Sequence, residues 1–227
     1  MDRKEINDKL AKELYIFSGL GADERVFQRL DFSGFSVTFI KWLEPLDRES
    51  IENYTTRLLN QVTTVNPILI GLSFGGMIAV EAAKQIDTER VILLSSAKTK
   101  HEIPFYYRFA GSLSLHKLLP TWILKKPNIL TNWFFGTRSA FDRQLLKQIL
   151  TDTDADFLKW AIDKIVCWKN RTLPINIFHV HGTDDRILPL KFIAYDKAIK
   201  NAGHLMTLNR AEELNKIILQ ELEGKVP

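Results

Sequence analysis

A short glycine-rich segment carries the strongest chemical signal in this sequence. It reads Gly71-Leu-Ser-Phe-Gly75-Gly76 and lies between an apolar β-branched run and an alanine-rich stretch with helical spacing. A serine on such a strand-to-helix turn stands clear of the sheet, beside the amide groups of a helix N-terminus. There its hydroxyl can attack a carbonyl while those amides stabilise the oxyanion that forms. We therefore predict that Ser73 is a nucleophile.

Two other interpretations of this turn are weaker. A phosphate-binding loop would end in Gly-Lys followed by Ser or Thr, and this turn contains no lysine. The segment could also be a structural glycine-rich bend with an incidental serine. The strand pattern before it and the helix pattern after it favour the nucleophile.

A serine hydroxyl needs a base, and the sequence offers five histidines. His204 follows small residues and precedes the closing helix, so its imidazole can lie over the edge of the sheet. His179 and His181 alternate along one strand and are expected to be structural. His101 begins a long helical segment and could touch substrate, whereas His116 is expected on the surface of that segment. We predict that His204 is the base.

The base in turn needs a carboxylate to orient it, and the turn after the fifth strand-like run supplies two. Asp184 and Asp185 are adjacent there, so their side chains diverge and only one is expected to reach the histidine. The residues by themselves do not separate these two candidates. The turn after the fourth strand-like run, Ser95-Ser-Ala-Lys98, contains no carboxylate.

Short strand-like runs alternate with helical patterns along the chain. Strands that are apolar on both faces and alternate with helices predict the α/β class, with a parallel sheet covered by helices. The strand-like runs are Leu14–Ser18, Val37–Trp42, Pro67–Leu72, Val91–Ser95, Ile175–Val180 and, more weakly, Tyr195–Ile199. The helical patterns are Asp23–Leu30, Ser50–Val62, Phe74–Ile86 and Ala211–Leu222.

One interval, from about Lys98 to Arg171, shows helical pieces and no strand pattern. It is far longer than an ordinary connection between a strand and a helix, which has a few residues. We predict a helical lid or cap insertion at 98–171 within a single domain spanning 1–227; a separate small helical domain is the alternative. Aromatic and aliphatic residues from Phe157 to Trp168 recur at helical spacing, which indicates a core-facing stripe rather than a cofactor site.

Composition restricts the class of protein further. The single cysteine, Cys167, excludes an internal disulfide framework and suits a reducing compartment. The first ten residues lack the apolar core of a signal peptide, and no stretch approaches the roughly 18 apolar residues of a membrane span. We expect a cytoplasmic protein without a membrane span.

The net charge of +4 is unevenly distributed. The segment from Lys98 to Lys126 holds six basic residues and one acidic residue, and it is rich in aromatic residues. These cations are either the solvated face of lid helices or a surface that attracts the anionic end of an acyl substrate. No recognisable nucleic-acid module accompanies them, so no nucleic-acid partner is expected. No cluster with the sequence spacing of metal ligands occurs either.

Taken together, three ordered motifs resemble the serine-nucleophile branch of the α/β-hydrolase superfamily. They are the turn Gly71–Gly75, the pattern His-Gly-x-x-Asp at His181–Asp185, and Gly203-His204. The order Ser…Asp…His is the one that this superfamily uses, and the resemblance extends from Leu14 to the last helix.

This resemblance implies a trimmed, mostly parallel six-stranded sheet in the order 2-1-3-4-5-6. It selects Asp185 as the acid and implies that the backbone N–H groups of Phe74 and Leu20 form the oxyanion hole. The sequence departs from the superfamily after the first strand, where His-Gly is frequent and Ser18-Gly19 stands here. It also lacks the antiparallel strands with which many members begin.

The implied activity is that of a carboxylesterase or thioesterase. Such an enzyme cleaves a small-molecule ester or thioester with a largely apolar acyl group through an acyl-enzyme, without a metal or organic cofactor. A serine nucleophile excludes the branches that use aspartate. A carbon–carbon hydrolase, a lyase or a non-catalytic ligand-binding protein on the same fold are the alternatives. The substrate and the oligomeric state do not follow from the sequence.

Overall fold

The computed structural model describes residues 12–118, 125 and 128–223. Six strands form one sheet in the order β2-β1-β3-β4-β5-β6, which confirms the predicted fold class and strand order. Each neighbouring pair is parallel, so the described sheet is wholly rather than mostly parallel. The strands are β1 (Glu13–Phe17), β2 (Ser36–Phe39), β3 (Ile68–Leu72), β4 (Arg90–Leu94), β5 (Ile177–Gly182) and β6 (Lys197–Ile199).

Helices follow most of the strands, and none in the described ranges is long and apolar enough to cross a membrane. They are α1 (Ile51–Leu58), α2 (Phe74–Ala82), α3 (Phe105–Ser112), α4 (Ile129–Phe135), α5 (Ala140–Asp152), α6 (Ala155–Val166), α7 (Met206–Asn209) and α8 (Ala211–Leu222). Short 3-10 turns occur at Glu24–Phe27, Leu59–Gln61, Leu115–Leu118 and Leu190–Phe192.

The helix predicted over Asp23–Leu30 is wrong, because only one 3-10 turn, Glu24–Phe27, forms there. The Asp23 side chain accepts the Arg25 amide and guanidinium hydrogen bonds and so caps a very short element. The backbone hydrogen bonds in this region span three residues, as in the pair Leu30 N–H to Phe27 O, and this tight winding rarely extends far.

The sheet separates two apolar clusters, one on each face. Alternate residues of the strands point to opposite sides, so Leu14 and Ile16 enter one cluster while Tyr15 and Phe17 enter the other. Helix α8 covers the first face, and α1 and α2 cover the second. Burial of each large aliphatic side chain stabilises the fold by about 1.5–3 kcal/mol, which explains why the strands are apolar on both faces.

The helical interval between β4 and β5 is joined closely to this core. Where residues 98–171 are described, they form helices α3 to α6 and one 3-10 turn. Trp160 Nε1–H donates to the Glu49 carbonyl at 3.1 Å, and Trp168 Nε1–H donates to Glu81 Oε1 at 2.8 Å. Phe157 and Ala161 of the predicted apolar stripe are buried against α1 and α2. Trp122 and Lys126 of the basic, aromatic segment lie outside the described residues.

Glycine permits the close approach of α2 to the end of β1. A β-carbon at Gly75 would lie 2.2 Å from Ser18 O and 2.3 Å from Phe17 O, where no side chain fits. Both neighbouring atoms belong to backbone, which cannot move aside without shifting β1. The turn that carries Ser73 is therefore held against the first strand.

We expect Gly75→Ala to lower the free energy of unfolding by about 1–3 kcal/mol, because the added methyl group overpacks two backbones. The matched control is Gly19→Ala, whose β-carbon would meet its nearest neighbours at 3.8 Å. Urea unfolding midpoints measure both variants. Equal midpoints for the two would contradict the contact described here.

Candidate active site

Ser73 lies at the junction of β3 and α2 in a backbone conformation that non-glycine residues rarely adopt. Its φ is 53° and its ψ is −119°, which stores on the order of 1–3 kcal/mol of strain. Two contacts to the β4 region hold it there: the Ser73 N–H donates to Leu94 O at 2.9 Å, and Ser96 Oγ donates to Ser73 O at 2.6 Å. The surrounding fold thus maintains the strained turn.

The structure brings Ser73, His204 and Asp185 into one chain of hydrogen bonds. His204 Nε2 lies 2.8 Å from Ser73 Oγ, and His204 Nδ1 lies 2.7 Å from Asp185 Oδ2. His204 and Asp185 are buried, with 2% and 4% of their surface exposed. The other acidic candidate, Asp184, is exposed, and its Oδ1 accepts a hydrogen bond from Thr183 Oγ1 instead.

The Asp185 carboxylate is fixed by groups on its own turn. Its Oδ1 accepts the N–H groups of Ile187 and Leu188, each at 2.9 Å. Burial by itself would raise the pKa of Asp185, but the charge and hydrogen bond of His204, with smaller contributions from His181 and Leu188, hold it below the usual value. An ionised carboxylate only accepts hydrogen bonds. His204 therefore carries its proton on Nδ1, and its Nε2 accepts from the Ser73 hydroxyl.

His179 and His181 form a buried pair behind this carboxylate. His181 Nε2–H donates to Leu188 O at 2.8 Å and lies 3.4 Å from Asp185 Oδ2, so it supports the turn that carries Asp185. His179 Nδ1–H donates to Ala194 O at 3.2 Å. The facing nitrogens, His179 Nε2 and His181 Nδ1, are 3.3 Å apart and both carry lone pairs.

Burial lowers the pKa of both histidines. The shift is large for His179, where the neighbouring His181 and Lys98 add to the effect of burial. For His181 burial outweighs the opposing attraction of Asp185. Both rings are therefore neutral at neutral pH.

We expect His181→Gln to reduce the loss of stability on acidification. A histidine whose pKa is lowered in the folded state stabilises the fold fully above the unfolded pKa of about 6.5, and this contribution falls as the pH drops below that value. For one group, this loss of unfolding free energy is at most about 1.4 kcal/mol per pH unit. Urea unfolding at pH 7.5 and pH 5.5 measures the difference for wild type and variant.

Glutamine suits this test because its amide can still donate to Leu188 O. The control is His101→Gln, which changes an exposed histidine and should leave the wild-type pH dependence intact. The same decrease in stability for wild type and His181→Gln would contradict the role assigned to burial of this ring.

An apolar cavity of about 110 Å³ lies in front of Ser73 and His204. Helices α4, α5 and α6 supply much of its wall, through Phe135, Leu146, Ile149, Leu150 and Ile165. The Phe135 ring meets the His204 ring edge to face at 5.9 Å between centroids. None of these five residues was predicted from the sequence to line the site. The i, i+3, i+4 spacing of the three α5 residues is the signal that could have indicated an apolar face there.

Leu20 and Phe74, the predicted oxyanion donors, both lie near Ser73. Leu20 lines the cavity together with Ser73, and a β-carbon at the preceding Gly19 would lie 3.8 Å from Ser73 Cβ. Phe74 is the first residue of α2. Among the hydrogen bonds of the described residues, neither backbone N–H has an acceptor, and their role as oxyanion donors stays a prediction.

A second cluster of potential ligand atoms lies in the helical interval. His116, Asp163 and Cys167 place one such atom each within 4.8 Å of one another. Asp163 is already paired with His116 at 2.9 Å, with Lys164 at 3.3 Å and with Lys117 at 3.6 Å. Two ammonium groups at the carboxylate disfavour a bound cation, so we interpret the cluster as ion pairs. The His116 side chain is largely buried, and its predicted surface position is wrong.

Comparison with known proteins agrees with this architecture. The model of the alpha/beta hydrolase family matches residues 12–217, so the chain belongs to the α/β-hydrolase family. A search of curated protein sequences returned no match.

Several solved structures share the fold. A bromoperoxidase from Bacillus anthracis is 17% identical, with a TM-score of 0.67 over 94% of this chain and 92% of that one. The N-acyl homoserine lactonase AidH is 16% identical, with a TM-score of 0.68 over 95% and 90%. A meta-cleavage product hydrolase from Pseudomonas fluorescens, CumD, is 15% identical, with a TM-score of 0.66 over 95% and 92%. At these identities the likeness concerns the fold alone.

Proposed function

We propose that this α/β hydrolase is a serine hydrolase that cleaves an ester or thioester with a small, largely apolar acyl group. The observation that carries the proposal is the hydrogen-bonded chain of Ser73, His204 and Asp185 at the wall of an apolar cavity. A nucleophile, a base and an orienting acid in this order of contact are the parts that acyl transfer requires.

In the first half of the reaction the Ser73 oxygen forms a bond to the substrate carbonyl carbon. Its proton passes to His204 Nε2, 2.8 Å away, and Asp185 stabilises the imidazolium that results. The N–H groups of Leu20 and Phe74 bind the oxyanion, and each such donor contributes roughly 3–4 kcal/mol. His204 then gives its proton to the departing oxygen or sulfur, which leaves the acyl group on Ser73.

Water completes the second half. His204 takes a proton from a water molecule, whose oxygen attacks the acyl carbon through the same oxyanion site. The bond to Ser73 breaks, the serine recovers its proton from His204, and the free acid departs. Each step uses side chains and backbone groups of this chain together with water.

The helical interval determines the size of the acyl group under this proposal. Residues 98–171 act as a lid within a single domain, because α4, α5 and α6 cover the cavity beside Ser73. A volume of about 110 Å³ suits a short acyl chain. A lactone is a cyclic ester, so the chemistry named for the structurally similar AidH falls within the same reaction class.

We expect a fluorophosphonate probe to label the protein stoichiometrically on Ser73, with mass spectrometry locating the adduct. Ser73→Ala should abolish labelling. His204→Ala should slow it by about 10²-fold or more, because a positioned general base contributes about 10²–10⁴-fold. The matched control is His101→Ala, which should label at the wild-type rate because His101 is exposed and belongs neither to the hydrogen-bonded chain nor to the wall of the apolar cavity. Equal labelling of Ser73→Ala and wild type would refute the nucleophile.

We expect Leu146→Ala to shift the preference toward longer acyl chains. Leu146 lines the cavity, so its truncation makes room for further methylenes, each worth about 0.8 kcal/mol or roughly fourfold in kcat/KM. Rates with p-nitrophenyl acetate, butyrate and hexanoate measure the shift. Leu145→Ala is the control, since Leu145 is equally buried on the same helix but is absent from the cavity wall. An identical shift in both variants would refute the assignment of this cavity to the acyl group.

A further inference from the structure

A second cavity, of about 450 Å³, lies against a different face of α4 from the one that Phe135 presents to the apolar cavity. We propose that it binds a small molecule bearing a phosphate monoester. Its wall includes Trp133 of α4, three arginines (Arg138, Arg143 and Arg186) and a single acidic side chain, Asp184. The proposal concerns a site separate from Ser73 and does not depend on the hydrolase activity.

The three guanidinium groups are held by backbone carbonyls. Arg186 Nη1 donates to Trp133 O at 2.7 Å, Arg143 Nη1 donates to Arg138 O at 3.2 Å, and Arg138 Nη2 donates to Asn201 O. Within the described ranges no Asp or Glu forms an ion pair with any of the three. A guanidinium has five N–H donors, so each retains donors for a ligand.

The wall is also preorganised. The Arg186 guanidinium stacks on the Trp133 ring, 4.4 Å from its centroid, in addition to its hydrogen bond to the same residue. A side chain anchored at two points loses little further freedom when it binds a ligand. The Arg186 guanidinium is therefore already fixed on the side of the cavity that α4 forms.

Charge and size favour a phosphate monoester over a carboxylate. Three arginines and Asp184 give the wall a net charge of +2, which matches a dianion and would leave a monocarboxylate with one uncompensated charge. Guanidinium groups bind phosphate oxygens through paired, charge-assisted hydrogen bonds. The cavity is much larger than a phosphate, so it has room for the group that the phosphate carries.

Backbone atoms separate the two cavities, where the end of α4 meets the loop that precedes His204. A β-carbon at Gly136 would lie 3.0 Å from Gly203 Cα, and the Leu205 N–H donates to Phe135 O at 3.3 Å. A ligand on the arginines therefore does not reach Ser73. It does contact Gly203, which directly precedes His204, and so it stabilises α4 against the loop that bears the base.

Isothermal titration calorimetry of the full chain carrying Ser73→Ala, with phenyl phosphate as the ligand, tests the proposal. The substitution prevents turnover, so only binding contributes heat. We expect saturable 1:1 binding at constant ionic strength, weakened at least tenfold by the double substitution Arg138→Gln and Arg143→Gln. The control, Arg48→Gln with Arg171→Gln, removes two exposed arginines that do not line the cavity and should change the affinity less than twofold.

The proposal is overturned by absence of binding, by equal affinity in the double variant, or by an equal loss in the control pair. Binding to phosphatidic acid vesicles without binding of phenyl phosphate would likewise overturn a small-molecule site. Arg186→Lys provides a second variant should the double one unfold. It keeps the charge but removes the fork, so weaker binding of phenyl phosphate is expected, and an unchanged affinity would contradict the site.

Discussion

Three stretches of backbone meet at Ser73, and their close approach depends on glycine. β3 ends there, α2 begins there, and the end of β1 lies so near Gly75 that a methyl group would overlap its carbonyls. The positive φ of Ser73 is maintained because hydrogen bonds from the β4 region hold its N–H and C=O. The position of the Ser73 hydroxyl relative to His204 follows from these contacts.

The carboxylate end of the site depends on a different kind of constraint, a buried polar network in which both oxygens of Asp185 accept hydrogen bonds. Asp185 receives two backbone N–H groups and one imidazole N–H, and His181 closes the turn behind it through Leu188. Burial strengthens each of these hydrogen bonds and makes an unpaired member costly. The network therefore fixes one orientation of His204, which the strained serine by itself would not do.

Much of this arrangement was predictable from local patterns, because each predicted residue lies in a short motif with its own backbone requirement. Gly71–Gly76 indicated the turn, and the loop at Gly203 placed a histidine after the last strand. The choice between Asp184 and Asp185 needed the superfamily resemblance, since adjacent acids differ only in the direction of their side chains. In the structure, Asp185 is hydrogen-bonded to His204, whereas Asp184 lines the second cavity, together with the three arginines.

Other features had no local signal. Three helices of the long interval supply much of the apolar cavity wall, and the three arginines of the second cavity come from the connection between α4 and α5, from α5 and from the turn after β5; neither set is contiguous in sequence. The region after Asp23 was predicted as a helix because its apolar spacing fits one. Side-chain capping by Asp23 and hydrogen bonds that span three residues produce a single turn instead.

The sheet edge and the helical interval supply different parts of the site, and this separation has a consequence for evolutionary divergence. Ser73, Asp185 and His204 all stand on turns at one edge of the sheet, whereas much of the apolar cavity wall belongs to the interval between β4 and β5. Substitutions in α5 can therefore reshape the cavity without touching a partner of the hydrogen-bonded chain. Under the proposed function, such a chain can acquire new substrates by gradual change in its helices while its chemistry is inherited unaltered.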